Sequence, residues 1–210
     1  MHFDKLKILT LILGLTGQLV AQSFEGRIRY QNTCQSSDPN FKKEYCDLIT
    51  DSIQDYYFKK GNYKYQSIGV EGWTLYLKKQ NTIYAKTKKS KTVFANKANK
   101  QTAPETGEIQ INRNVITILG YPCDELILTT PNRIQKYYYH SRTSLKPRYL
   151  KKHKYGNVNQ IIKRTRAIPL KTIWILKDQN IELISQAIEI ENLELNDSLF
   201  TIPNTVEIQN

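Results

Sequence analysis

From residue 24 onward the chain alternates. Phe24, Gly26, Ile28 and Tyr30 take turns with Glu25, Arg27, Arg29 and Gln31, a period of two that, in an extended strand, sends one set to a core and the other to water. The same pattern, rich in β-branched and aromatic residues, returns at Tyr56-Tyr57-Phe58 and Tyr63-Lys64-Tyr65, through residues 73–78, and at Ile83, Ala85 and Val93. It is longest in residues 108–139, where strands are predicted over 109–119, 125–130 and 134–139. The breaks between them, residues 120–124 and Pro131-Asn132, are too short for a crossover helix, so these strands must be antiparallel neighbours. This stretch is expected to organise the rest. Further turns are predicted at Lys60-Gly61, Gln80-Asn81, Lys89-Ser90 and residues 178–180, and long strands over 161–177 and 181–191.

Helical spacing is rarer. Phe41, Tyr45 and Leu48 lie four and three apart, which predicts a short helix over 40–49. Pro147 and Gly156 bracket a second over 145–156, with Tyr149, Leu150 and His153 on one face. Asn196 can cap a single turn ending at Phe200, and residues 96–107 carry almost no large apolar group and predict a loop. The fold class expected is mainly β (α+β), a curled antiparallel sheet or half-open β-barrel of about ten strands with two or three short helices, because twist accumulates and a flat sheet of that width leaves its edges bare.

Residues 1–22 have a different pattern. Lys5 and Lys7 precede an apolar run over 8–20, followed by small residues near Ala21-Gln22-Ser23. A bilayer crossing needs ~20 apolar residues, so a cleaved export signal is the better reading. Residues 23–210 are then a single domain, periplasmic or secreted, and not membrane-spanning. Export also changes the meaning of Cys34, Cys46 and Cys123. In an oxidising compartment two of the three bridge, and three pairings are possible. Cys34 with Cys46 is favoured because they flank a short polar segment whose closure stabilises by about 3 kcal/mol. Cys123 is then a buried, free thiol.

The chain carries a net charge of +12. That field draws anionic partners, among them lipid headgroups and acidic polysaccharide, while the compartment argues against nucleic acid. Lysines also keep sheet edges soluble without binding anything. The fourteen tyrosines read as strand formers whose rings pack and whose hydroxyls stay wet. Catalytic and metal chemistry find no support. His140 and His153 have no Cys or carboxylate at ligand spacing and are expected to face solvent, and Cys123 beside Asp124 and Glu125 has its thiol pKa raised rather than lowered. No phosphate-binding glycine loop, nucleophile elbow or cofactor motif is present, so no catalytic residue, metal or cofactor is assigned.

Four segments, FEGRIRY, DYYFKKGNYKY, ITILGYPCDELIL followed by KYYY, and NLELNDSLFTIP, resemble in order and spacing secreted relatives of the LolA-like outer-membrane lipoprotein-carrier superfamily. The resemblance implies a half-open barrel closed on one side by helices, with a hydrophobic cavity for acyl chains and no catalytic residues. The function expected is an exported, non-enzymatic binding protein that holds a lipid or other amphiphile, in envelope lipid or lipoprotein handling. The alternative is a structural or interaction protein whose basic sheet docks on anionic envelope polysaccharide or a protein partner. Alternation points to Trp73, Leu75, Leu77, Ile116, Ile118 and Trp174 as the lining. Lys59, Lys60, Lys78 and Lys79 are the residues expected to meet an anionic headgroup.

Overall fold

The computed structural model describes residues 23–41, 46, 50–68, 72–87, 90, 92–100, 107–203 and 207–209. The expected leader, most of the helix expected over 40–49, Lys89 of one expected turn and residues 101–106 of the expected loop lie outside them. The described strands are β1 (Gly26–Ser36), β2 (Ile53–Lys59), β3 (Asn62–Ser67), β4 (Trp73–Leu77), β5 (Thr82–Lys86), β6 (Thr92–Lys97), β7 (Glu108–Ile118), β8 (Tyr121–Thr129), β9 (Arg133–Tyr139), β10 (Lys171–Leu176), β11 (Ile181–Asn192) and β12 (Glu207–Gln209). All twelve join one open, curled sheet in the order β12-β6-β5-β4-β3-β2-β1-β11-β10-β9-β8-β7. Only β12 on β6 is parallel. One α-helix, α1 (Val158–Thr165), and five short 3-10 turns complete the described structure.

The β2–β3 hairpin forms as its sequence demands. Lys60 and Gly61 both take positive φ, 49° and 98°, the mirror-image turn whose twist matches that of the flanking strands. Gly26 is required for another reason. A Cβ there would sit 2.0 Å from the Glu191 carbonyl oxygen, because β1 crosses β11 closely at that point.

Three expectations are corrected. Residues 108–139 form antiparallel neighbours but stand at one edge of the sheet, and its middle is β1 paired with β11 across the whole chain. Residues 161–177 are not one strand: Val158, Ile161, Ile162 and Thr165 fall at i, i+3, i+4 and i+7, the spacing of one helical face, and α1 buries the last three. Residues 145–156 hold separate 3-10 turns rather than a helix, although Pro147 opens one of them and Gly156 takes the positive φ of another. The sheet also has two more strands than expected.

Residues 140–170, between β9 and β10, cover one face. Their two arms are bonded to each other, Leu145 N to Arg166 O at 2.6 Å and Ile168 N to Thr143 O at 3.0 Å, and the Tyr30 hydroxyl donates to Pro169 O at 2.7 Å. Ile28, Phe58, Tyr63 and Tyr76 are buried beneath Leu145, Leu150 and Ile162. The aromatic rings fill this region, with Tyr63 stacked 5.1 Å from Tyr76 and 5.5 Å from Tyr56. On the far side of the cover Ile161 packs on Leu126 and Leu128. Across the sheet, Leu75 is buried against Leu195 and Phe200, at a capped turn (Asp197–Phe200) where the sequence predicts one.

The opposite face at the sheet's middle carries a charge network. Arg27 reaches Glu189 and Glu191, both at 2.8 Å, and Arg29 reaches Asp55 at 2.8 Å. Burial alone would raise the Asp55 pKa, but Arg29, with Arg27, overcomes this and holds it below the ordinary carboxylate value. Asp55→Ala leaves two guanidiniums without their shared anion. Both can retreat partly to water, so the expected loss is about 2 kcal/mol, short of the ~3–5 of a fully buried pair. Urea unfolding of both proteins measures it, and a loss below half a kilocalorie would make the network ornamental.

Candidate functional site

Register places Asn32 opposite Ser185, Leu183 opposite Trp174, and Thr172 opposite Ser185. Gln54 pairs with Tyr30 and Tyr65 with Tyr56, so all of these side chains share the face on which Tyr30 and Ile28 are buried. The covering segment meets β1 at Tyr30, and none of its residues lines the space beyond. Beyond it a cavity of about 410 Å³ stays open, lined by Asn32, Gln54, Tyr65, Thr172, Trp174, Leu183 and Ser185 from the sheet face together with Thr50, Asp51 and Ile184.

The wall at residues 50–52 is held from several sides. The Asn32 side-chain amide donates to Asp51 O at 2.8 Å and Asn32 N to Ser52 O at 2.8 Å, while the Ser67 hydroxyl donates to the Asp51 carboxylate. The Thr50 hydroxyl donates to Cys46 O at 3.0 Å, and Cys46 is disulfide-bonded to Cys34 on β1. The favoured cysteine pairing is therefore present, and it tethers this wall. Trp174 is framed by Arg133, whose guanidinium lies 5.9 Å from the indole ring. Its buried Nε1 and the buried Tyr137 hydroxyl on the neighbouring strand lie within reach of each other without a well-aligned hydrogen bond. Burial drives the Tyr137 phenol pKa upward, so the hydroxyl keeps its proton.

The six residues expected to form one lining are divided among three places. Trp174 lines the cavity. Trp73, Leu75 and Leu77 lie on the opposite face, against Leu195, Leu199, Phe200 and Ile202. Ile116 and Ile118 pack beside Cys123 in the main core. The period of two was correct on each strand, but nothing local told which face of each strand would be left open.

The four lysines cluster near the β2–β3 and β4–β5 turns, at the end of β2 away from Gln54. Lys59 donates to Leu195 O and pairs with Asp197 at 2.8 Å and Glu25 at 3.5 Å, so it anchors the C-terminal segment. Lys78 lies 4.7 Å over the Tyr149 ring, and Lys60 and Lys79 are exposed. None of the four lines the cavity at Trp174.

Cys123 is buried and unbonded to other cysteines, and its burial raises the thiol pKa, which leaves it protonated and unreactive. His140 stacks on Tyr121 at 5.2 Å and caps a 3-10 turn. His153, expected in solvent, is instead fully buried, its Nε2 2.8 Å from the Tyr63 hydroxyl. Among the described residues no three His, Cys, Asp or Glu side chains gather as metal ligands, and no helix is long and apolar enough to cross a membrane. The polar lining, Asn32, Gln54, Thr172 and Ser185, escaped the sequence reading because it occupies core-face positions where an apolar residue is the ordinary expectation. That break in the binary pattern was the available signal.

No family model matches the chain, and no curated protein is a significant match. Its fold is similar to that in the crystal structure of an uncharacterized conserved protein from Thermus thermophilus, at a TM-score of 0.54 and 6% identity, covering 90% of this chain and 91% of that one. At that identity the likeness shows the fold alone.

Proposed function

We propose that the protein is an exported, non-enzymatic binding protein that holds a small amphiphile in the cavity at Trp174. One observation carries this reading. The face of the sheet that residues 140–170 cover elsewhere, over the tyrosine rings of β1 to β4, is left open where its side chains become amide and hydroxyl. Trp174, Tyr65 and Leu183 offer apolar area to a short chain or ring, and the volume suits the ~300–1,000 Å³ of small-molecule sites.

The lining also selects the head. It contains Asn32, Thr50, Gln54, Thr172 and Ser185, one carboxylate, Asp51, and no lysine or arginine. A phosphate there would meet an acid and no cation in the lining, the nearby Arg133 guanidinium lying over the Trp174 ring, so an uncharged, hydrogen-bonding head is the better guest. The LolA-like resemblance points to the same class of ligand, which suits envelope lipid or lipoprotein handling.

Organic extraction and mass spectrometry of the mature protein, isolated from the compartment to which the full chain is sent, test the reading. A stoichiometric amphiphile with an uncharged head is expected. Trp174→Ala removes a large apolar contact worth about 1.5–3 kcal/mol, so retention should fall at least about tenfold. A clean extract from the unaltered protein, with envelope polysaccharide retained instead, would overturn the proposal in favour of docking through the basic surface.

A further inference from the structure

The outer edge of β7 ends the sheet, and no described residue pairs with it. Such an edge offers a row of unused N–H and C=O groups, and proteins ordinarily blunt it with lysine, proline or extreme shortness. Among the described residues the opposite edge obeys this rule, β12 having three residues. β7 does not. Its eleven residues, EIQINRNVITI, include no lysine and no proline in a chain with 31 basic residues. Its single cation, Arg113, is ion-paired with Asp124. Ile109 and Ile111, 38% and 42% exposed, stand opposite Leu128 and Leu126 and so share the face that packs on α1. Ile109 also borders a small groove between the sheet and Ile161 of α1.

We infer that the β7 edge pairs antiparallel with the same edge of a second copy, centred on Gln110. The occupant is specified by register. A two-fold axis normal to the sheet through Gln110 sets Ile109 against Ile111 of the other copy on the α1 face, and continues the apolar stripe of Leu126, Leu128 and Ile161 across the joint. On the other face Gln110 meets Gln110 and Glu108 meets Asn112, so no like charges oppose. The irregularity between Asn112 and Ile116, where Asn114 takes φ 50°, ends the ladder on one side, and β7 itself begins at Glu108 on the other. A segment this short buries less than a standard interface of about 1,600 Å², so association is weak and concentration-dependent.

Sedimentation equilibrium of the mature protein up to millimolar concentration tests this. A reversible monomer–dimer equilibrium is expected, lost in Ile111→Lys and kept in Ile188→Lys, a control at an exposed position on another strand. Gln110→Cys should form an intermolecular disulfide at the pairing centre, whereas Asn112→Cys, which faces Glu108, should not. A monomer at every concentration overturns the inference, as does a dimer that survives Ile111→Lys or cross-links equally at both cysteines. None of these outcomes depends on a ligand in the Trp174 cavity.

Discussion

Phe58→Ala is expected to lower the free energy of unfolding by about 3–5 kcal/mol, the range for removing a large buried ring from a site that cannot close around the gap. Phe58 is fully buried at the end of β2. It stands opposite Tyr63 on one side and Gly26 on the other, with the Tyr149 ring 6.5 Å away. The sheet backbone below and the bonded arms of residues 140–170 above are both held by their own hydrogen bonds, so neither can collapse inward. Phe58→Leu keeps most of the volume and should cost less than about 1.5 kcal/mol. Chemical denaturation of the three proteins measures the series. If alanine and leucine cost the same, the cover does not pack on the sheet as described.

The second large effect is acid sensitivity through His153. Its ring lies 4.4 Å from that of Tyr76, and burial lowers its pKa to about 4, outweighing weak backbone contacts at His153 and Tyr155 that favour the charged form. The neutral ring suits the fold and the charged one does not. Above the ordinary histidine pKa of about 6.5 both folded and unfolded chains leave it neutral, and stability is at its full value. As pH falls from about 6.5 to about 4 the unfolded chain takes up the proton first, so stability declines, by about 3 kcal/mol over the window. Below that both states are protonated and this contribution stops changing. Asp55, with its depressed pKa, acts at lower pH: its stabilisation is full above the ordinary carboxylate value and is lost as pH falls through the folded value. The two are therefore separable. His153→Gln should flatten the upper window and leave the lower one. Thermal midpoints measured across both windows decide the matter, and an unchanged slope in the variant would refute the assignment.

Local chemistry explains what could be read directly from residues. The alternation of β1, the positive-φ turn at Lys60-Gly61, the cap at Asn196 and the pairing of Cys34 with Cys46 each depend on neighbours in the chain, and each is present. So is the curled sheet as a class. α1 was hidden because Ile161 and Ile162 suit strand propensity as well as helical spacing, and tertiary burial chose the helix. Trp174, one of the expected lining residues, borders the cavity, whereas Asn32, Gln54, Thr172 and Ser185 beside it were not expected there.

The residue order sets how each segment extends, turns or coils, since those preferences act over a few bonds. It also marks which positions along a strand share a side. Only the folded chain decided that β1 would meet β11, that Phe58 would be roofed by Tyr149 while Trp174 stayed open, and that His153 would lie in the dark beside Tyr63. Those outcomes rest on contacts between residues far apart in sequence. Their entropy of closure is repaid only when the whole sheet has formed, so no short window contains them.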